Sequence, residues 1–180
     1  MLSSKMEEAL VSQVNKEMHS AYIYMSMSAH SAGLGLKGFS SWFMTQYHEE
    51  MFHAMKLYEY IQSQGGEILL AAVEAPPRGF ASPLDIFEKT LAHEQYMTKN
   101  INDLLELAIA EKDHATQITL HWYVTEQVEE EDTVNEILAK LKLIGGDANA
   151  LLTIDKELGL RTVTVPTAFS TSVTAQSKVA

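Results

Sequence analysis

Apolar positions recur three and four residues apart along long stretches of the chain, the spacing that gathers them on one face of a helix. Leu10, Val14, Ala21 and Met25 mark the first stretch; Leu84, Phe87 and Leu91, then Ile101, Leu104, Leu105 and Ala108, mark a later one. Polar start signals and glycine stops divide the chain into helices. Ser4 and Glu7 have capping-box spacing and predict a first helix that runs to the breaker Gly33-Leu34-Gly35. A second follows Gly38 and ends at Gly65-Gly66. Ser82, Pro83 and Asp85 supply the N-cap, first helical position and box of a third, which fades near Lys112. Asp113 caps a fourth that ends at Gly145-Gly146, and Asp147 caps a short fifth that Gly159 stops after Leu158. Residues 68–73 can be extended, but no segment reads as a sustained strand. The expected fold class is all-α, a four-helix bundle with a short fifth C-terminal helix.

The connections predict the topology. Short turns join helices one and two, and three and four, which makes each pair an antiparallel hairpin. Between the hairpins lie residues 66–81. Sixteen residues can extend to roughly 50 Å, and a helix of about 27 residues is roughly 40 Å long. This segment can therefore cross the full length of the bundle, joining two hairpins by one long connection. Residues 1–160 read as one domain and residues 161–180, rich in Thr, Ser, Val and Ala, as an irregular or mobile tail.

Polar residues placed inside these helices carry the chemistry. The first hairpin has Glu17, then Glu50-x-x-His53; the second has Glu94, then Gln127-x-x-Glu130. Both hairpins space the first pair 33 positions apart (17 to 50, 94 to 127) and the second pair 36 apart (17 to 53, 94 to 130). The midpoint of Glu17 and Glu50 falls in the first predicted turn, and that of Glu94 and Glu130 on Lys112 in the second. Residues equidistant from an antiparallel turn share a level, and residues three apart share a helix face. The pattern thus predicts a cluster of four carboxylates, one imidazole and one amide. Taken singly, a glutamate in a helix is most often solvated and a histidine most often packed; the matched spacings argue against that for the set. Buried carboxylates without a cation repel one another and lose hydration, and two divalent ions relieve both costs. Carboxylate and imidazole ligands suit iron, with zinc and manganese also possible on ligand type.

Composition narrows the classes. The 180 residues contain no cysteine, which excludes thiolate metal sites, disulfides and a cysteine nucleophile. A formal net charge of −11 argues against a nucleic-acid partner and suits attraction of cations. The N-terminus lacks the apolar stretch of a signal peptide, and no apolar run is long enough to span a membrane, so the cytoplasm is the expected location.

Asn15-Lys16-Glu17, Tyr24, His48-Glu49-Glu50-Met51-Phe52-His53, His93-Glu94-Gln95, the run from Trp122 to Glu131, and Asp155-Lys156-Glu157-Leu158 together resemble the prokaryotic non-haem ferritins, over nearly the whole chain to about Leu158. The resemblance implies a ferritin-like bundle that oxidises Fe(II) with dioxygen or hydrogen peroxide and stores the ferric product in a hollow shell of twenty-four subunits. It implies Glu50 as the bridge between two irons, Glu17 and His53 completing site A, and Glu94 and Glu130 holding site B with Gln127 close by. It further implies Tyr24 as an electron donor beside the pair, and a third iron site at Glu49, Glu126 and Glu129 with Glu130 shared. The chain departs from the di-iron template at Gln127-x-x-Glu130, where a second Glu-x-x-His would stand; the Gln form resembles storage ferritins with a weaker site B. A haem-binding bacterioferritin using Met51, and a small-oligomer di-iron oxidase or peroxidase, are the competing readings; no haem is expected. Residues 161–180 match nothing in that family.

Overall fold

The computed structural model describes residues 2–162. Its helices are α1 (Ser4–Gly33), α2 (Lys37–Ser63), α3 (Pro83–Ala110), α4 (His114–Ile144) and α5 (Ala148–Leu158). The hairpins α1–α2 and α3–α4 pack most extensively, α1 meets α3 between them, and α5 folds across α2 and α4. The four long helices, the long crossover and the short fifth helix all stand where the sequence puts them.

Several boundaries differ in instructive ways. The first N-cap is Ser3, whose Oγ accepts from Met6 N at 3.0 Å; Ser4 is already helical. Glu7 therefore closes no box, and its carboxylate instead accepts from Glu67 N in the crossover at 3.2 Å. Helix α2 begins at Lys37, before Gly38, and its N-cap Leu36 has no capping side chain. The carboxylate of Asp155 in α5 does that work: Oδ1 accepts from Gly38 N at 2.8 Å and Phe39 N at 3.0 Å. Gly38 thus lies inside α2 and not before it, at a point of close approach, since a Cβ there would lie 1.5 Å from the Asp155 carbonyl oxygen. Ser82, Asp113 and Asp147 cap as expected, accepting from Asp85 N, Thr116 N and Asn149 N. Met25 is 37% exposed, and Tyr24 and Met27 occupy the core face instead.

The crossover runs along α1. Glu7 holds Glu67, the Asn15 amide holds both Ala71 N and Ala72 O, and Ser26 Oγ donates to Pro77 O. Residues 68–73 belong to no strand.

The core is split in two. One apolar cluster contains Tyr24 and Met27 of α1, Phe39 and Phe43 of α2, Phe87 of α3 and Leu138 of α4. The other contains Leu10 and Val14, Leu57 and Ile61, Ile101 and Leu104, and Leu120 and Tyr123 of the same four helices. In every helix the numbers between the clusters hold the buried polar residues: Glu17, Glu50 and His53, Glu94, and Gln127 and Glu130. A polar layer therefore cuts the bundle at one level.

Candidate metal centre

All six residues of the predicted cluster are buried, none more than 6% exposed. Within this layer, ligand atoms of Glu17, Glu50 and His53 lie within 4.8 Å of one another, as do those of Glu50, Glu94 and Glu130. Glu50 belongs to both sets. A third set joins His53, Glu126 and Glu130. Among the described residues, Glu49 and Glu129 join none of these sets; both line a cleft of about 730 Å³ with Gln46, His53, Glu126 and Glu130.

The electrostatics follow from the packing. Glu50 Oε2, Glu94 Oε1 and Glu130 Oε2 are buried with no hydrogen-bond partner among the described residues. Burial, with repulsion from neighbouring carboxylates, raises the carboxyl groups of Glu17 and Glu130 well above the ordinary glutamate range. Burial likewise raises those of Glu50 and Glu94, against hydrogen bonds from Glu17 and from Glu130 and Gln127 that partly oppose it. The same desolvation lowers the His53 imidazole, against the pull of Glu17, Glu126 and Glu49, and favours its neutral form. A layer of acids forced toward protonation, beside an imidazole kept neutral, is a donor set that a divalent cation satisfies.

Neighbours orient these side chains. Gln13 Nε2 donates to Glu17 Oε1 at 2.9 Å, one turn along α1. Gln127 Nε2 donates to the Glu94 carbonyl at 3.2 Å and to Glu94 Oε2 at 3.3 Å, so the amide fixes an acid of the facing helix. Tyr123 donates to the His53 carbonyl at 2.8 Å, and the Trp122 ring lies 5.4 Å from the His53 ring. His93 Nε2 lies 2.7 Å from Ser20 Oγ behind Glu94. Sequence reasoning assigned none of these supporting roles. Gln13 was visible as an i, i+4 partner of Glu17 and Tyr123 as a residue two turns before Glu130, and Gln127 was already placed at this level by its spacing from Glu94; Trp122, His93 and Ser20 had no local signal. Tyr24 is fully buried between Phe43 and His93, and its hydroxyl has no hydrogen-bond partner among the described residues. Arg161, assigned to the tail, instead folds back on α2, where Nη2 donates to Glu49 Oε2 at 2.7 Å. The remainder of that tail, residues 163–180, lies outside the described residues.

The chain is similar to known proteins over most of its length. A ferritin-like domain model matches residues 7–144. A bacterial non-heme ferritin of Staphylococcus aureus is 41% identical over 162 residues, covering 90% of this chain and 98% of the relative. One from Bacteroides fragilis is 40% identical over 161 residues, covering 89% and 100%. Among solved structures, an open-pore ferritin from the hyperthermophilic archaeon Archaeoglobus fulgidus superposes with a TM-score of 0.89 at 50% identity, covering 90% of this chain and 100% of that one. With two antiparallel hairpins, a long crossover and a carboxylate layer at one level, and with these relatives aligned almost end to end, the chain belongs to the ferritin family.

Proposed function

We propose that this protein stores iron and oxidises Fe(II) within each subunit, at the layer formed by Glu17, Glu50, His53, Glu94, Gln127 and Glu130. The observation that carries this reading is Glu50, shared by two buried ligand sets drawn from four helices, with unpartnered oxygens on Glu50, Glu94 and Glu130. Glu17 and His53 hold one Fe(II), Glu94 and Glu130 the other, and Glu50 joins them. Gln127 leaves the second ion one fewer charged or imidazole ligand, which favours release of product. Each Fe(II) gives one electron, so dioxygen accepts two electrons and two protons to leave as peroxide; peroxide as oxidant accepts two electrons and two protons to leave as two waters. Four buried acids supply negative charge that stabilises Fe(III) more than Fe(II), which favours electron loss. Tyr24, buried near His93, would give a fourth electron and its phenol proton where a third Fe(II) follows the pair, so that dioxygen takes four electrons and four protons and leaves as two waters.

Glu49, Glu126 and Glu129 form an outer site that shares Glu130; its support is that ligand atoms of Glu126, His53 and Glu130 lie within 4.8 Å of one another, and the common cleft. The product moves to a hollow shell of twenty-four copies, with residues 68–73, exposed at Leu69 and Leu70, at an interface between subunits. No described helix is long and apolar enough to cross a membrane, and the proposed location is the cytoplasm. The non-heme designation of the bacterial relatives supports the absence of haem over a role for Met51.

Aerobic loading of the iron-free protein with Fe(II), followed by particle mass, iron per particle and a visible spectrum, tests the reading. The expected result is a shell of twenty-four subunits holding many irons per subunit and no Soret band. A small oligomer that turns over Fe(II) without retaining it would replace storage by a soluble oxidase, and a Soret band by a haem protein.

A further inference from the structure

Three residues beyond the end of α5, the Arg161 side chain turns back onto α2. Its guanidinium donates to Gln46 Oε1 and, at 2.7 Å, to Glu49 Oε2, and it stacks over the Trp42 ring at 4.9 Å. Trp42, Gln46 and Glu49 fall four and three residues apart on one stripe of α2, so a single planar cation is gripped along its length. Trp42 and Gln46 are buried, and the Arg161 and Glu49 side chains are 27% and 20% exposed. The grip closes one side of the cleft whose other walls carry Glu126, Glu129 and Glu130. Burial raises the Glu49 carboxyl, and the Arg161 charge is the largest influence opposing that rise.

We propose that Arg161 is a resident counter-ion of the outer carboxylates: it occupies Glu49 until a metal ion arriving beside Glu126 and Glu129 displaces it. The proposal rests on the metal-centre reading above. A divalent ion and a guanidinium on one carboxylate repel each other, so entry of the outer ion requires the arginine to leave. That orders filling, with the buried pair first and the outer site later and more weakly. It also couples the outer site to the residues just after α5, because the departing arginine gives up its hold on Gln46 and Glu49 of α2.

The test uses the full-length, iron-free protein and redox-inert Zn(II). Calorimetric titration compares wild type with Arg161→Ala and with Arg161→Gln, which keeps much of the stem over Trp42 without the charge. Zinc anomalous diffraction locates the ions. Both variants are expected to bind the first two equivalents per subunit as wild type does. The third should bind roughly two- to fivefold more tightly, the scale of a partly exposed charged pair. Arg161 should have left Glu49 in wild-type crystals with the outer site filled. Unchanged third-ion affinity in both variants overturns the proposal, as does a filled outer site with the guanidinium still on Glu49, or no third ion in any protein. Failure of wild type to bind the first two equivalents overturns the metal-centre reading itself.

Discussion

Gly38→Ala probes the contact that joins α5 to the bundle. The added Cβ would lie 1.5 Å from the Asp155 carbonyl oxygen and 2.5 Å from its carbon, both backbone atoms that no rotamer change can move. Helix α5 must therefore shift as a body. Losing the Asp155 cap on Gly38 N and Phe39 N costs about 0.5–2 kcal/mol. Exposing even half of the surface that Ile154 and Leu158 bury costs about 1.5–3 kcal/mol more. Against this, alanine is favoured over glycine inside a helix by about 1 kcal/mol. The balance is a net destabilisation of about 1–4 kcal/mol, and a thermal midpoint lowered by roughly 2–16 °C for a chain of this size. Circular dichroism melts at fixed protein concentration measure it, with Gly33→Ala as control, because a Cβ there meets nothing within 4 Å. Gly33→Ala should leave the midpoint unchanged or slightly raised. A Gly38→Ala protein as stable as wild type would refute the steric argument and the role of Asp155 as a cap supplied from α5.

Three further outcomes are expected. Glu50→Ala and His53→Ala should keep the helical spectrum yet lose the rapid phase of Fe(II) oxidation by more than the roughly 10–100-fold typical of losing an outer partner of a metal ligand; stopped-flow absorbance decides, and an unchanged initial rate would remove these residues from the centre. Tyr24→Phe should fold and bind iron while slowing turnover or changing the iron oxidised per dioxygen; wild-type kinetics and stoichiometry would return Tyr24 to the core alone. Because burial raises the carboxyls of Glu17, Glu50, Glu94 and Glu130, protons must leave as cations bind, so Zn(II) affinity should increase from about pH 5 to about pH 8. The stability of the metal-free protein has the opposite slope: a raised folded-state pKa means that the native state holds more protons than the unfolded chain, so stability falls as pH rises above 4.5, the ordinary glutamate value. Titrations in buffers of different ionisation heat and denaturation midpoints across that range check both, and a flat profile in each would contradict the electrostatics.

What the sequence by itself determined is whatever local periodicity encodes. Helix faces repeat within four residues and turns are marked by a few glycines and caps, so the equal spacings of Glu17, Glu50 and His53 and of Glu94, Gln127 and Glu130 already placed six side chains at one level and facing inward. The split of the apolar core around that level follows from the same register. What only the tertiary structure decided are contacts between segments far apart in the chain, which leave no periodic trace. Asp155 caps α2 at Gly38, 117 residues earlier in the chain, which makes Gly38 a point of close approach inside the helix where the sequence placed it just before the helix. Tyr123 fixes the backbone at His53 across 70 positions. Arg161, read as the first residue of a tail, reaches Glu49 across 112 positions because α5 docks where it does. A side chain's partner at such separations is set by how packed helices come to rest against one another, and that is a property of the assembled bundle and of no local stretch of sequence.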